Sequence, residues 1–186
     1  DYIEALIDRT MGWSIAIGKR LVGLGVDGIW TGDDFGAQNG MMISPDMWRK
    51  IFKPRMAEVF QEFRAVNPDV VVMYHCDGAI APILPDLIEI GLDVLNPVQP
   101  GVPGHEPSEL KAQFGSELSF WGAIDQQQLL PMGTPAEIDA DVQAKIEALG
   151  PGGGYMVAPA HILQGDTPIE NVEAFITAAK QHGAYA

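Results

Sequence analysis

Apolar residues recur at intervals of three and four through YIEALIDRTMGWSIAIGKRLVGLG, a spacing that predicts an amphipathic helix stopped by Gly25. The pattern then changes. VDGIWTGDD is short and apolar and closes on Gly32, Asp33 and Asp34, which predicts a strand from Asp27 to Thr31. SPDMWRKIFKPRMAEVFQEFRAVNP returns to helical spacing, with Ser44 as N-cap, Pro45 at the first helical position and Asp46 in the first turn. Pro54 inside it predicts a kink or two consecutive helices. DVVVMYHCDG is the clearest strand of the chain, followed by a helix in PILPDLIEIG up to Gly91. The alternation continues with DVLNPV as strand, SELKAQFG as short helix and LSFWGAID as strand. TPAEIDADVQAKIEALG is a helix capped by Thr134, GGYMVAPAH a strand, and TPIENVEAFITAAKQHG a last helix that again begins Thr-Pro.

One helix followed by five strand-plus-helix units predicts a parallel sheet with right-handed crossovers. The nearly all-apolar strands fit a sheet covered on both faces or closed into a barrel. Five units are too few for eight strands, yet the chain opens on a helix with no strand before it and without a methionine, as a fragment or a processed form would. The fold class expected is therefore α/β, the C-terminal part of a (β/α)8 barrel, with residues 1–186 as one domain; an open doubly wound sheet is the alternative.

Composition narrows the partners. With 186 residues and 47% hydrophobic content, the chain can bury a sizeable core. A formal charge of −14 opposes binding to nucleic acid or to an anionic membrane. A single cysteine, Cys76, precludes an intramolecular disulfide. No apolar run of about 18 residues suggests a membrane span, and no signal-peptide pattern opens the chain, so the cytoplasm is the expected location.

In either architecture ligands gather at the carboxyl ends of the strands. There the sequence places Asp33 and Asp34, His75 and Asp77, Asn96 and Gln99, Asp125 and Gln126, and His161. Singly, such residues cap helices or complete turns; jointly, they form a polar rim that a purely structural sheet does not require. His75 and Asp77 stand two apart on one strand and so share a face, while Cys76 points to the other. With His161 from the last strand they make two imidazoles and a carboxylate, a set that suits a catalytic zinc with a vacant fourth position. The alternative is a His–Asp pair that orients an imidazole for acid–base work. The expected catalytic residues are His161, His75, Asp77 and Asp34, the expected metal ligands His75, Asp77 and His161, and the expected cofactor-binding residues Asn96, Gln99, Asp125 and Gln126. His105, in the loop PGVPGHEP, and His182, in the last turn of the last helix, read as ordinary structural positions. Gly152 to Gly154 precede a strand, so they read as a tight turn and not as a phosphate cradle.

The stretches GDDFGAQNGMMISPDMWRKIFKPR, FWGAIDQQQLLPMGTPAEI and YMVAPAHILQGDTPIENVEAF, with YHCDGAIAPILPDLIEIGLDVLNPVQP between them, resemble the uroporphyrinogen decarboxylase superfamily, which includes cobalamin-linked methyltransferases and O-demethylases. The resemblance runs from about residue 20 to 184. Its members are (β/α)8 barrels of roughly twice this length, which implies that the N-terminal half of the barrel is missing from this chain. Decarboxylases of this type carry a histidine in a GHG-like turn before the last helix, where His161 falls, but typically read FDSWAG where this chain has GDDFGAQ and QGNLDP where it has WGAIDQ. The zinc methyltransferases read His-x-Cys-Gly on the strand with a further cysteine near the last strand. Here His75 keeps one ligand, and Asp77 and His161 replace the other two.

The resemblance thus implies an enzyme, a methyltransferase or carboxy-lyase, and leans to methyl transfer on a small methylated substrate, with zinc as cofactor and a corrinoid as methyl carrier on a partner protein. The decarboxylase alternative needs no cofactor but requires cations for a polycarboxylate. Arg49, Lys50, Lys53 and Arg55 cluster in one helical region that reads as a solvated face. A third reading is a non-catalytic half-barrel subunit. In every case a second chain, a copy or an N-terminal half, is expected to complete or cover the barrel, because half a barrel leaves strand edges unpaired.

Overall fold

The structure, a computed structural model, describes residues 2–184. Helix α1 (Tyr2–Gly23) leads through the Gly25 stop into strand β1 (Gly28–Gly32). A two-stranded antiparallel hairpin, β2 (Gly36–Ala37) and β3 (Gly40–Met41), follows before α2 (Pro45–Ile51) and α3 (Lys53–Val66). Then come β4 (Val71–His75), a 3-10 turn (Ala81–Ile83) running into α4 (Leu84–Glu89), β5 (Val94–Val98), α5 (Pro107–Phe114), β6 (Ser119–Ile124), α6 (Leu129–Met132), α7 (Pro135–Leu149), β7 (Tyr155–Pro159) and α8 (Ile169–His182).

The five long strands form one sheet in the order β1-β4-β5-β6-β7, every neighbouring pair parallel. This is the α/β alternation read from the sequence, with strand ends within three residues of those expected. The hairpin was not foreseen; its strands are two residues each, too short to carry a period. Pro54 does divide two helices: α2 ends at Ile51 and α3 resumes at Lys53. Ser44 accepts the Met47 N–H at 3.1 Å, and Thr134 forms a reciprocal capping box with Glu137. Thr167, by contrast, does not cap α8, which starts at Ile169 after an N-cap Pro168 with no side-chain bond.

Strand phase explains the two faces of the sheet. Val72, Tyr74 and Cys76 point to the helices and are buried, packed in a core with Val59, Phe60 and Phe63 of α3 and with Leu84 and Leu87 of α4. Each such large side chain contributes about 1.5–3 kcal/mol by leaving water. The other phase faces the concave side, where Trp30 is 54% exposed, Val71 38% and Met156 51%. Within the described residues, β1 and β7 each pair on one side alone. The described residues therefore form an open parallel arc with a covered back and an uncovered apolar concave face.

A candidate metal centre on the strand rim

His75 ends β4 in register with Asn96 of β5 and Gly32 of β1. The register brings the Asn96 side chain beside the imidazole, with His75 Nδ1 2.7 Å from Asn96 Oδ1. A carbonyl oxygen only accepts, so Nδ1 is the donor of this bond and Nε2 is the nitrogen left to face Asp77. That nitrogen lies 3.7 Å from Asp77 Oδ2, and His161 Nε2 lies 3.8 Å from the same oxygen. The two imidazoles stand with centroids 5.6 Å apart at 61°. One ligand atom from each of the three residues falls within 4.8 Å of the others.

A tetrahedral ion with ligand bonds of about 2.1 Å sets its donors about 3.4 Å apart, so small side-chain adjustments close the present spacings. The donor set also fits chemically: two neutral nitrogens and a carboxylate, one imidazole already locked by a hydrogen bond through its second nitrogen. The three residues expected as metal ligands from the sequence thus stand together at one point of the rim.

Asp77 is held from behind. Its backbone N–H donates to Asp34 Oδ1 at 2.8 Å, which makes Asp34 a support for the trio. The loop carrying Asp34 lies against the loop carrying Asp77, closely enough that a Cβ on Gly78 would come within 2.4 Å of the Gly36 carbonyl carbon, and Gly78 has φ +78. Only glycine satisfies both demands. Gln99 Oε1 accepts the Gly78 N–H at 2.7 Å, and its Nε2 donates to Gln38 Oε1. Asp125 Oδ1 accepts the N–H groups of Gln127 and Gln128, closing the turn after β6. Of the four residues expected to bind a cofactor, Asn96, Gln99 and Asp125 therefore engage neighbouring protein groups through these atoms. Gln126 differs: its Oε1 is buried without a hydrogen-bond partner.

Cys76 is fully buried, its sulfur accepting the Phe35 N–H at 3.2 Å, and burial pushes its thiol up to about 12. It is a core residue and not a nucleophile. Burial together with the adjacent Asp34 raises the carboxyl of Asp33 above the usual range. Arg49 and Lys53 pair with Asp86, and Arg55 pairs with Asp8, so this basic group ties helices together on the back of the sheet. His182 pairs with Asp139 at 3.1 Å in the last turn of α8. His105 is more than the ordinary loop position expected. It is 1% exposed, its Nε2 accepts the Ile80 N–H at 3.3 Å, and burial pushes it down to about 4.

Two cavities flank the trio and share His161. One, of about 120 Å³, is walled by the β2 segment, the ends of β4 and β5 and the turn after β6. The other, of about 240 Å³, is lined by Trp30, Trp121, Pro159 and Ile162 together with His75, Asn96 and His161. The Trp30 ring packs edge-on against His75 at 5.4 Å and tilts toward Trp121 at 5.9 Å. Sequence reading missed both tryptophans. Strand phase held the signal, since Trp30 is two residues before Gly32, the partner of His75.

A family model described as uroporphyrinogen decarboxylase (URO-D) matches residues 1–182. The chain is 27% identical over 184 residues to a methylcobamide:CoM methyltransferase of Methanosarcina barkeri, covering 99% of this chain and 50% of that protein. It is 24% identical over 178 residues to a methylated-thiol–coenzyme M methyltransferase of Methanosarcina mazei, covering 96% and 44%. A solved structure of a methyltransferase from Methanosarcina mazei superposes with a TM-score of 0.74 at 26% identity, over 94% of this chain and 48% of that one. The chain spans about half the length of these relatives.

Proposed function

Because the chain belongs to the uroporphyrinogen decarboxylase family, we propose that it is the metal-binding half of a corrinoid-linked methyltransferase acting on a small methylated substrate. In this reading residues 1–186 are a single domain, the C-terminal portion of the barrel, and His75, Asp77 and His161 hold zinc. The observation that carries it is the meeting of these three donors on the rim, with His75 locked by Asn96. The methyltransferases among the relatives point to the same chemistry.

Bound by this trio, zinc would supply Lewis acidity, either to lower the pKa of an acceptor thiol or to polarise a methyl donor. The protein's own contribution is positional. Asn96 fixes the tautomer of His75, Asp34 holds the Asp77 backbone, and Trp30 and Trp121 keep an apolar wall beside the imidazoles. The methyl carrier is a corrinoid on a partner protein. The exposed concave residues Trp30, Val71 and Met156 and the open edges of β1 and β7 support a second chain, a copy or an N-terminal half, that completes the barrel. The single buried cysteine supports a cytoplasmic setting, and no helix of the described residues is long and apolar enough to cross a membrane.

Decarboxylation of a polycarboxylate is less well supported. All eleven Lys and Arg residues lie inside helices, and none stands on a strand end or rim loop. The deciding experiment is calorimetric titration of the metal-free protein with zinc. One zinc per chain is expected, with affinity reduced at least about 100-fold in His75→Ala or His161→Ala. Methyl transfer from methylcobalamin to a thiol, followed by the corrinoid spectrum, should fall in parallel. Absence of zinc binding would overturn the reading.

A further inference from the structure

The polar cavity beside the trio has a consistent chemistry. Its side chains include Gln38, Gln99 and Gln126 as amides and Asp77 and Asp125 as carboxylates, with His161 on the shared wall. Among the described residues no lysine or arginine lines it. Gln99 and Gln38 are bonded to each other, and Gln99 also accepts from Gly78, so these two are fixed as a wall. Gln126 Oε1, an acceptor, is buried and has no hydrogen-bond partner among the described residues. A buried carbonyl oxygen of this kind calls for a donor, and the cavity's volume of about 120 Å³ leaves room for a group of a few heavy atoms.

We infer that this cavity is the head-group subsite of the small substrate, and that it accepts an uncharged or cationic hydrogen-bond donor, a hydroxyl or an ammonium, in preference to a carboxylate or sulfonate. The inference deepens the proposed function and rests on it for the position of the reacting centre. In the metal-free protein Asp77 and Asp125, with no lysine or arginine among the lining side chains, make the subsite unfavourable for an anion, and Asp125 remains a free carboxylate when Asp77 holds the metal. Gln126 supplies an acceptor for the donor, and the Trp30–Trp121 cavity on the far side of His161 leaves apolar room for the rest of the molecule.

The test is a matched series of short thiols differing in the head group alone: 2-mercaptoethanol, 2-aminoethanethiol, 3-mercaptopropionate and 2-mercaptoethanesulfonate. Their binding is measured by saturation-transfer NMR on the protein with and without zinc. In the metal-free protein, where no ion offsets Asp77 and Asp125, the hydroxyl and ammonium members should bind at least about tenfold more tightly than the two anions. Gln126→Met should weaken the hydroxyl member about tenfold and leave the anions unchanged. Gln126→Glu, which keeps an acceptor oxygen, should strengthen the ammonium member. Equal or tighter binding of the anions to the metal-free protein, loss of ammonium binding in Gln126→Glu, or no binding by any member would overturn the inference. Failure of zinc to tighten the thiols would instead strike the proposed function and leave the head-group order standing.

Discussion

His75 Nδ1 and Asn96 Oδ1 are 2.7 Å apart across the β4–β5 register, and Asn96 is itself 94% buried, with 6% exposure. A buried acceptor at that distance decides which imidazole nitrogen faces Asp77. Replacing Asn96 by leucine should leave the sheet in place but release the ring, lowering zinc affinity by about 10- to 100-fold. Asn96→Asp, which retains an acceptor, should recover most of it. Calorimetric zinc titration of both variants checks the prediction; equal losses in the two would show that Asn96 acts through packing alone.

The strands were legible because each is a short apolar run punctuated by Gly, Pro or Asp, and their common direction followed from the helices between them. The trio was legible in part for the same reason: a two-residue spacing puts His75 and Asp77 on one face whatever the tertiary context. Closeness of His161 to them was not, since it depends on the curvature that brings β7 toward β4 across two intervening strands. The amide partners were also hidden. Nothing in the local pattern around Asn96 or Gln99 shows that register sets one beside an imidazole and the other over the Gly78 N–H. His105 looked like loop because PGVPGHEP has a loop's composition, whereas that loop folds back so that the imidazole meets the Ile80 N–H.

Gly78→Ala tests how the two rim loops hold each other. The added Cβ would meet the Gly36 backbone at 2.4 Å in a residue with φ +78, so strain and clash combine. A loss of about 2 kcal/mol or more is expected in urea unfolding, with weaker zinc binding because Asp77 is the adjacent residue. Gly165→Ala is the control: nothing lies within 4 Å of its Cβ position, and its stability should change by less than about 0.5 kcal/mol.

His105 should make stability depend on pH. Burial lowers its pKa to about 4 in the folded protein, against about 6.5 when unfolded. Between those values the unfolded chain binds a proton that the folded one excludes, so acidification favours unfolding. The stabilising contribution of the neutral ring is complete above about pH 6.5 and lost progressively toward pH 4, a span of roughly 3 kcal/mol. His105→Gln removes the titration while keeping an acceptor for Ile80. Urea denaturation of both proteins from pH 7 to 4 should show the stability of the native chain falling faster than that of the variant; parallel curves would refute the assignment.

His161 stands two residues beyond β7, and the two explanations for it make different demands. A capping histidine would bond the turn at residues 165–168, yet that turn is closed by its own backbone, with the Thr167 N–H donating to Gln164 O, and α8 begins without a side-chain cap. The imidazole instead faces Asp77 at 3.8 Å and His75 ring to ring at 5.6 Å, and with Ala160 it lines both rim cavities. Its side chain is 34% exposed, at the edge of the core and not inside it. His161→Ala should therefore abolish zinc binding and methyl transfer while changing unfolding free energy by less than about 1 kcal/mol. His161→Cys, which restores a metal-binding atom, should recover zinc affinity. The capping explanation expects the reverse for alanine, a stability loss near 1 kcal/mol with zinc affinity preserved, so titration and denaturation of the same two variants separate the roles.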